Sequence, residues 1–493
     1  MAYRKKNKTD LKKPDSNSKT LSAVDARSVL GWNVVQYIGL IAFFIVIPRG
    51  MGPERYGEFA VLLSLLAVLW MASALGGRPA FGRFIPELEM QGKSDELRIL
   101  FTRFFLLRGL LAVMVTPLFF IALQRLVPGI GTEVLWLSAA VFMVGAVSRV
   151  AFQLLYGLNR LGLSLAQDSS GRLLFVMLLL LVGGGFMLGN IMSLMLVIEL
   201  SFLVLGLYLV RRYFSFGRRR AGWSDLYTFL KFGILFYVSG LALLLIWRGG
   251  EILVSELSGQ NAEVAYYSIA NAITMAFYGL FTQLSLIIVP SLSSLHVAGE
   301  HDKKTAWMAN ILRYVTLATW LAVIFLELIG EPVLVLLVGE EFLPVIGNLF
   351  ILFLALVPMN VIRVGMSSAL VHKRLKANFL VTASALVVFL LTALLLTPEY
   401  GAKGTSTSVV LGAITGAVVA HRVFALREIL ERARFWPLFA LGLGAMALPW
   451  SGLLPEPLGG VLAMFLILAG VFWLRLIRLE ELRWIMSGRS KTR

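Results

Sequence analysis

Residues 173–188 read LLFVMLLLLVGGGFML, and residues 191–210 read IMSLMLVIELSFLVLGLYLV after a two-residue break at Gly189 and Asn190. A helix needs about 20 mostly apolar residues to cross the hydrocarbon core of a bilayer. The two runs therefore predict a membrane hairpin with a tight turn on Gly189 and Asn190. Arg172 precedes the first run and Arg211 follows the second, so both ends of the hairpin are predicted to lie on the same, basic side of the membrane.

The same kind of apolar run recurs along the whole chain. Fourteen runs can be marked, at residues 28–47, 58–75, 107–123, 134–151, 173–188, 191–210, 232–253, 266–289, 311–328, 345–364, 379–396, 404–420, 435–450 and 458–477. The chain is 58% hydrophobic and 15% charged, which is far from the composition of soluble domains. We therefore predict a membrane protein that crosses the bilayer fourteen times.

The basic residues follow these runs in strict alternation. Of the 45 Lys and Arg residues, 40 fall in the N-terminal tail and every second connection, 4 fall in the intervening connections, and Arg248 lies within a run. Basic segments resist translocation, so the rich side is the cytoplasm. The alternation predicts a multi-pass protein of the cytoplasmic (inner) membrane with both termini in the cytoplasm.

The order of the runs predicts an architecture. We expect an all-α polytopic membrane protein with two six-helix lobes around a central cavity and an appended C-terminal helix pair, which is a common plan for transporters. The predicted divisions are a disordered basic tail (1–27), an N-terminal lobe (28–222), a C-terminal lobe (223–425), helices 13 and 14 (426–478) and a second basic tail (479–493).

Several classes of function lack their sequence signs. The chain has no cysteine and no G-x-x-x-x-G-K-[ST] loop, and none of its four histidines has the i, i+4 spacing of a zinc site. The net charge of +17 is accounted for by the cytoplasmic loops and by contact with anionic membrane lipids. We predict no cofactor, no metal, no nucleic-acid partner and no enzymatic activity.

A polar stripe runs along predicted helix 8. At 100° per residue its members fall within about 60° either side of one direction; they are Tyr267, Ser268, Asn271, Thr274, Tyr278, Thr282 and Ser285. Such a stripe is typical of a hydrated cavity wall that accommodates sugar, and also of hydroxylated residues that join packed helices. We take Asn271 and Tyr278 as candidate substrate-binding residues.

Two other helices carry polar side chains on one face. On predicted helix 7 these are Tyr237, Arg248 and Glu251, and the i, i+3 spacing of the last two predicts an ion pair. Their position in the outer third of the bilayer leaves two roles open, an outer gate or a substrate ligand. On predicted helix 1, Asn33 and Gln36 lie on one side and are further candidates for substrate binding.

Glu199 is the carboxylate closest to the middle of a predicted span. A charge at mid-bilayer costs about 2.5–3.5 kcal/mol on insertion scales, so Glu199 must be protonated, paired or solvated. It could accept a proton from outside and release it inside during transport, or it could form a buried salt bridge with another helix. Glu199 and Glu251 are the candidate ion-coupling residues.

Basic residues also lie at the cytoplasmic ends of the predicted spans: Arg83, Arg103, Arg108, Arg149, Arg172, Lys231 and Arg363. A guanidinium fork suits a pyrophosphate, but the positive-inside bias explains most residues at such positions. Arg83 and Arg149 are our candidates for binding a pyrophosphate headgroup.

Short motifs resemble one known family. Gly52-Pro53-Glu54-Arg55-Tyr56-Gly57 resembles the G-x-x-x-Y-G turn of prokaryotic polysaccharide flippases of the multidrug/oligosaccharidyl-lipid/polysaccharide exporter superfamily. Further similar segments follow in order at 83–86, 265–270, 338–342, 372–376 and 399–404, so that the resemblance covers about residues 28 to 425. Arg55 and Ser268 depart from the residues usual in the family at those positions.

The resemblance implies a translocase for undecaprenyl-pyrophosphate-linked oligosaccharide, a precursor of O-antigen, exopolysaccharide or related glycans. Alternating access of two lobes around a V-shaped cavity would carry the lipid across, coupled to an ion. Implied partners are the lipid-linked oligosaccharide, membrane lipids, and a polysaccharide polymerase and glycosyltransferases. Two alternatives from the same superfamily stay open: a multidrug or metabolite exporter, and a lipid II flippase.

Overall fold

The computed structural model describes residues 23–183, 185–215, 223–297, 300–371, 375–450 and 456–473. Most of both predicted basic tails therefore lies outside the described residues. The helices are α1 Ala23–Ala72, α2 Gly77–Met90, α3 Ser94–Leu126, α4 Thr132–Gly157, α5 Leu161–Val182, α6 Leu188–Val210, α7 Trp223–Ser258, α8 Asn261–Val297, α9 His301–Val338, α10 Val345–Val371, α11 Leu375–Phe424, α12 Arg427–Arg432, α13 Phe435–Trp450 and α14 Glu456–Trp473, with 3₁₀ turns at Arg211–Tyr213 and Glu340–Phe342.

These helices provide fourteen membrane passages. Nine helical stretches in the described part of the chain are long and apolar enough to span a bilayer. The stretches that contain α1 and α11 each hold two passages, because each of these 50-residue helices is broken in the middle. The 37-residue α8 and the shorter apolar helices α13 and α14 supply the other three. The all-α fold and the prediction of fourteen spans are confirmed.

Each of the two long helices is broken at a glycine. Gly52 has φ 73° inside α1, and Gly401 has φ 55° inside α11. Glycine has no Cβ and adopts such angles without steric cost. Pro53 follows the first break, where a missing N–H costs little because the first N–H groups of a helix have no intrahelical partner. At the second break, the carboxylate of Glu263 accepts a hydrogen bond of 2.8 Å from the N–H of Ala402.

Some helices begin well before their apolar runs, which corrects the predicted boundaries. α3 begins at Ser94 and α5 at Leu161, whereas the hydrophobic runs begin at residues 107 and 173. α5 ends at Val182, followed by Gly183 with φ 62°, and α6 begins at Leu188, so that Gly189 and Asn190 lie in the first turn of α6 and not in the connection. The cause is a polar first half of α5, which hydropathy assigned to a loop. Basic residues assigned to helix ends consequently lie much deeper in the bundle.

The helices pack as two halves joined by α1. We call α1–α6 the N-terminal half and α7–α11 the C-terminal half; the predicted lobe boundary at 222/223 adjoins residues 216–222, which lie outside the described residues. α1 packs on α5 within its own half and on α7 and α8 of the other. α13 and α14 pack on each other and on α9, so the C-terminal pair attaches to the C-terminal half.

The halves touch at both ends of the bundle through glycine. At the predicted outer end, Gly57 of α1 approaches α8 so closely that a Cβ atom would overlap the carbonyl oxygen of Asn261. At the predicted cytoplasmic end, Gly76 (φ 68°) lies against the backbone of Gly233 in α7. We call these the outer contact and the inner contact. A side chain at either place would separate the halves, because backbone cannot shift as easily as a flexible side chain.

Candidate functional site

A polar cavity of about 220 Å³ lies in the N-terminal half and faces α7 and α8. We call it the N-terminal cavity. Its aromatic walls include Phe43, Phe44, Trp70, Phe175 and Phe202. Its polar lining consists of Tyr56, Arg149, Gln167, Asp168, Arg172, Glu199, Arg248 and Ser268. Three guanidinium groups and two carboxylates therefore share one space among membrane helices, where charged groups are rare and usually functional.

Glu199 accepts hydrogen bonds from three side chains on two neighbouring helices, α4 and α5. It lies eleven residues from each end of α6 and is buried. Arg149 of α4 donates to both of its oxygens, with Nη2 at 3.0 Å from Oε1 and Nη1 at 3.3 Å from Oε2. Ser148 and Gln167 donate to Oε2 at 3.1 and 3.0 Å. The buried salt bridge that the sequence left as one of two possibilities is present, with its partner on another helix.

Arg149 is held in place from a second side. Its guanidinium carbon lies 3.7 Å from the ring centroid of Trp70, a cation–π contact. The Trp70 indole N–H donates to the carbonyl of Phe142 at 2.9 Å, and the Trp70 carbonyl accepts from the buried Arg108 at 2.8 Å. The plane of the Arg149 guanidinium is therefore fixed by packing before any ligand arrives.

Arg172 differs from the other two arginines of the cavity. It lies near the middle of α5, eleven residues after Leu161. No carboxylate in the described part of the chain is within 4.0 Å of its guanidinium, whereas Arg149 pairs with Glu199 at 3.0 Å and Arg248 with Glu251 at 3.4 Å. Arg172 thus contributes positive charge to the cavity that no ion pair offsets.

The Arg248–Glu251 ion pair predicted on α7 is present and continues into a buried network. Glu251 has no solvent exposure, and Asn271 of α8 donates to its Oε1 at 3.1 Å. Asn271 also donates to the backbone carbonyl of Trp247. Four buried polar atoms around this network have no hydrogen-bond partner among the described residues: Glu251 Oε2, Asn271 Oδ1, Tyr267 Oη and Trp247 Nε1.

The structure does not place Asn271 and Tyr278 of α8 in the lining of the N-terminal cavity. Asn271 is fully buried in the network just described, and Tyr278 is buried against Trp247, with its hydroxyl accepting from Arg363 at 3.2 Å. The reason is that α8 is enclosed by α1, α7 and α10, so that its polar stripe is mostly a seam between helices. Ser268 alone among the described side chains of the stripe lines the N-terminal cavity; Thr282 and Ser285 lie outside the described side chains.

The remaining predicted residues lie away from this cavity. The Tyr237 hydroxyl donates to the carbonyl of Ala72 at 2.7 Å and so joins α7 to the end of α1. Arg83 is exposed on α2, with its guanidinium carbon 4.3 Å from the ring centroid of Phe232. Asn33 and Gln36 are half-buried on the first part of α1. The structure therefore brings Arg149, Arg248 and Glu199 together in the N-terminal cavity. It places Tyr237, Arg83, Asn33 and Gln36 outside that cavity.

Comparison with known proteins gives the family. The model of a family described as polysaccharide biosynthesis protein matches residues 26–296, which is more than half of the chain. The chain belongs to the polysaccharide biosynthesis protein family. This family match spans α1 to α8, and therefore every residue that lines the N-terminal cavity. No curated protein matches the sequence.

Solved transporter structures share the fold of this polysaccharide biosynthesis protein. The lipid II flippase MurJ in an inward closed conformation matches with a TM-score of 0.66 at 14% identity, covering 91% of this chain and 100% of that one. A multidrug resistance MATE family transporter of the MOP superfamily matches in its inward-facing conformation with a TM-score of 0.65 at 16% identity, covering 81% and 96%. A MOP superfamily transporter from Pyrococcus furiosus matches with a TM-score of 0.53 at 17% identity, covering 82% and 94%.

Sequence reasoning missed three important residues of the cavity in this family member. Arg172 was placed at a helix end, Gln167 fell between two predicted spans, and Trp70 fell within the predicted span 58–75 with no role assigned. A signal was available in the run Gln167-Asp168-Ser169-Ser170-Gly171-Arg172. At helical spacing, positions 164, 168 and 172 fall on one face, which an analysis by hydropathy alone does not detect.

Proposed function

We propose that this protein moves undecaprenyl-pyrophosphate-linked oligosaccharide from the inner to the outer leaflet of the cytoplasmic membrane. The observation that carries the proposal is the cluster of Arg149, Arg172 and Arg248 in one cavity among membrane helices. Guanidinium forks bind phosphate oxygens in pairs and remain charged in a low-dielectric setting. Membership of a polysaccharide biosynthesis family supports a glycan as the group attached to that phosphate.

The charge of the cavity supports this substrate over a cationic drug. Three arginines line it against the carboxylates of Glu199 and Asp168, and Asp168 has Arg78 at 3.8 Å. An exporter of cations would be expected to present a net negative site, so the multidrug alternative is disfavoured. A lipid II flippase would use the same pyrophosphate chemistry, and only the glycan distinguishes it from our proposal.

Alternating access supplies the movement. In our proposal the outer and inner contacts open in turn, while the headgroup stays in the cavity and the polyprenyl tail remains in the lipid. Glu199 and Glu251 are the proposed ion-coupling carboxylates, because each lies in a span and pairs with an arginine of the cavity. Arg83, exposed on α2 near the inner contact, is proposed as a first contact for the incoming headgroup.

Orientation is a further part of the proposal. Both termini are cytoplasmic, and the basic tails face anionic lipid. If Arg108, Arg149 and Arg172, which lie well inside their helices, are left out of the count, 37 basic residues remain on the predicted cytoplasmic side against 4 on the other. A reporter enzyme fused after Arg493 is expected to be active only in the cytoplasm. Activity restricted to the outside would overturn the orientation and with it the assignment of the outer and inner contacts.

Deletion of the gene tests the function in cells. We expect surface polysaccharide to be lost while undecaprenyl-pyrophosphate-linked oligosaccharide accumulates in the inner leaflet, because the glycosyltransferases that build it still act and a polymerase outside receives no substrate. Extraction of the lipid-linked glycan and analysis by mass spectrometry measure this. Normal surface glycan with raised sensitivity to cationic drugs would favour the multidrug exporter.

A further inference from the structure

The carboxylate of Glu199 occupies both arms of the Arg149 guanidinium. The two nitrogens of Arg149 donate to the two oxygens of Glu199 at 3.0 and 3.3 Å. This paired geometry is the one in which a guanidinium also holds a phosphate. Trp70 stacks on the same guanidinium and holds the orientation of its plane. A phosphate that binds Arg149 through this same pair of nitrogens must therefore take the place of Glu199.

The displaced carboxylate stays close to the new anion. Ser148 and Gln167 also donate to Oε2 of Glu199, at 3.1 and 3.0 Å, and Glu199 lies at the midpoint of α6. A like charge nearby disfavours the ionised form of a carboxyl group, as does the loss of its opposite charge. The carboxylate is then expected to take one proton from water, while Ser148 and Gln167 remain as hydrogen-bond partners for the neutral acid.

Other charged groups around the site do not reverse this tendency. On α5, Asp168 adds negative charge, offset by Arg78 of α2 at 3.8 Å, and Arg172 adds positive charge. Arg248 of α7 faces the cavity, and the titratable side chain that α1 contributes to its lining is the neutral Tyr56. Arg172 and Arg248 would themselves contact the bound pyrophosphate. Their charge is then largely offset by the ligand and no longer favours the Glu199 carboxylate.

We propose that Glu199 is an internal competitor for the headgroup, which holds Arg149 in the empty protein and is displaced and protonated when a pyrophosphate binds. This inference rests on the proposed function. Binding of the pyrophosphate and uptake of one proton are then positively linked, and by reciprocity a lower pH strengthens headgroup binding. A carboxylate for proton antiport needs the opposite sign, since headgroup and proton must exclude each other. Of the two carboxylates proposed for ion coupling, Glu199 would then serve headgroup binding, and an inward proton flux would be left to Glu251.

Calorimetry on the purified full-length protein in lipid nanodiscs tests the linkage, with farnesyl pyrophosphate as the probe. Titration at neutral pH in two buffers of different ionisation enthalpy gives the number of protons taken up on binding. We expect the wild type to take up about one proton more on binding than Glu199→Gln, because the amide that replaces the competitor cannot ionise. Subtraction of the two removes the contribution of the probe's own phosphate groups.

The affinities give a second readout. Glu199→Gln is expected to bind the probe about tenfold more tightly at neutral pH, because an amide competes for Arg149 without a charge-assisted bond. Glu199→Asp should retain the extra proton uptake. Glu256→Gln is the matched control, since that carboxylate pairs with Arg125 near the ends of α3 and α7, and it should behave as the wild type.

Three outcomes contradict the inference in different ways. Equal proton uptake by the wild type and Glu199→Gln would overturn it while leaving headgroup binding intact. Weaker binding by Glu199→Gln would show that Glu199 assists the headgroup instead of competing with it. No binding of the probe by either protein would overturn the proposed pyrophosphate site itself, and the internal competitor with it.

Discussion

A valine at Gly57 is expected to lower glycan export at least about tenfold by preventing closure at the outer contact. Any Cβ at this position overlaps the backbone carbonyl of Asn261, which belongs to the first turn of α8. Overpacking of a well-packed site costs about 1–3 kcal/mol, and a population of closed molecules falls tenfold for each 1.4 kcal/mol. Because alternating access requires every state of the cycle, loss of the outer closed state stops transport.

Thiol labelling can follow this change directly, because the chain contains no cysteine. With Ser268→Cys in the cavity wall, Gly57→Val should raise labelling by a membrane-impermeant reagent added from outside. Gly249→Ala is the matched control, since nothing lies within 4 Å of a Cβ at that α7 position, and it should change neither labelling nor export. Normal export by Gly57→Val, at normal protein level in the membrane, would show that the outer contact is not a gate.

Replacement of Arg172 by alanine is expected to have the second large effect. A charge-assisted hydrogen bond contributes about 1.5–3 kcal/mol, so headgroup affinity and the transport rate at low substrate should fall about 10- to 150-fold. Arg172 is a better test than Arg149, because no described carboxylate within 4.0 Å depends on it. Arg149→Ala would leave the buried Glu199 without its counter-ion, which is destabilising in itself.

Two further variants separate charge from geometry at position 172. Arg172→Lys keeps the charge but loses the paired donors, and is expected to recover only part of the rate. Arg427→Ala serves as the control, because Arg427 is exposed on α12 and pairs with Glu431. Export of the Arg172→Ala protein at the wild-type rate would remove Arg172 from the headgroup site. Radiolabelled glycan at the cell surface, normalised to protein in the membrane, is the measurement.

The number of passages could be predicted from sequence, and the depth of individual residues could not. Hydropathy finds the apolar part of each span, and the alternation of basic loops checks the count. Hydropathy does not locate the start of a helix whose first turns are polar. An example is α5, which begins at Leu161 although its apolar run begins at 173. Arg172 was therefore predicted at the membrane edge and lies at the middle of its helix.

Ion-pair partners could be predicted from the sequence only where both residues lie on the same helix. The Arg248–Glu251 pair follows from an i, i+3 spacing and is present. The partner of Glu199 lies 50 residues away on α4, and nothing in the local pattern points to it. The stripe on α8 shows the same limit, because helical periodicity identifies a polar face without saying whether that face meets a cavity or another helix. The surroundings of the polar face of α8 depend on the helices packed against it, α1, α7 and α10. Which helices these are is determined by tertiary packing.

Reconstitution of the purified protein tests the central claim most directly. Proteoliposomes would carry a polyprenyl-pyrophosphate oligosaccharide in both leaflets. A pH gradient of either sign would be imposed across their membrane. An impermeant glycosidase added outside would then measure the fraction of glycan in the outer leaflet. Our account predicts that the enzyme reaches nearly all of the pyrophosphate-linked glycan with the wild-type protein, and only the outer-leaflet half with Arg172→Ala or with empty liposomes. Accessibility that stays at the outer-leaflet half with the wild-type protein would contradict it.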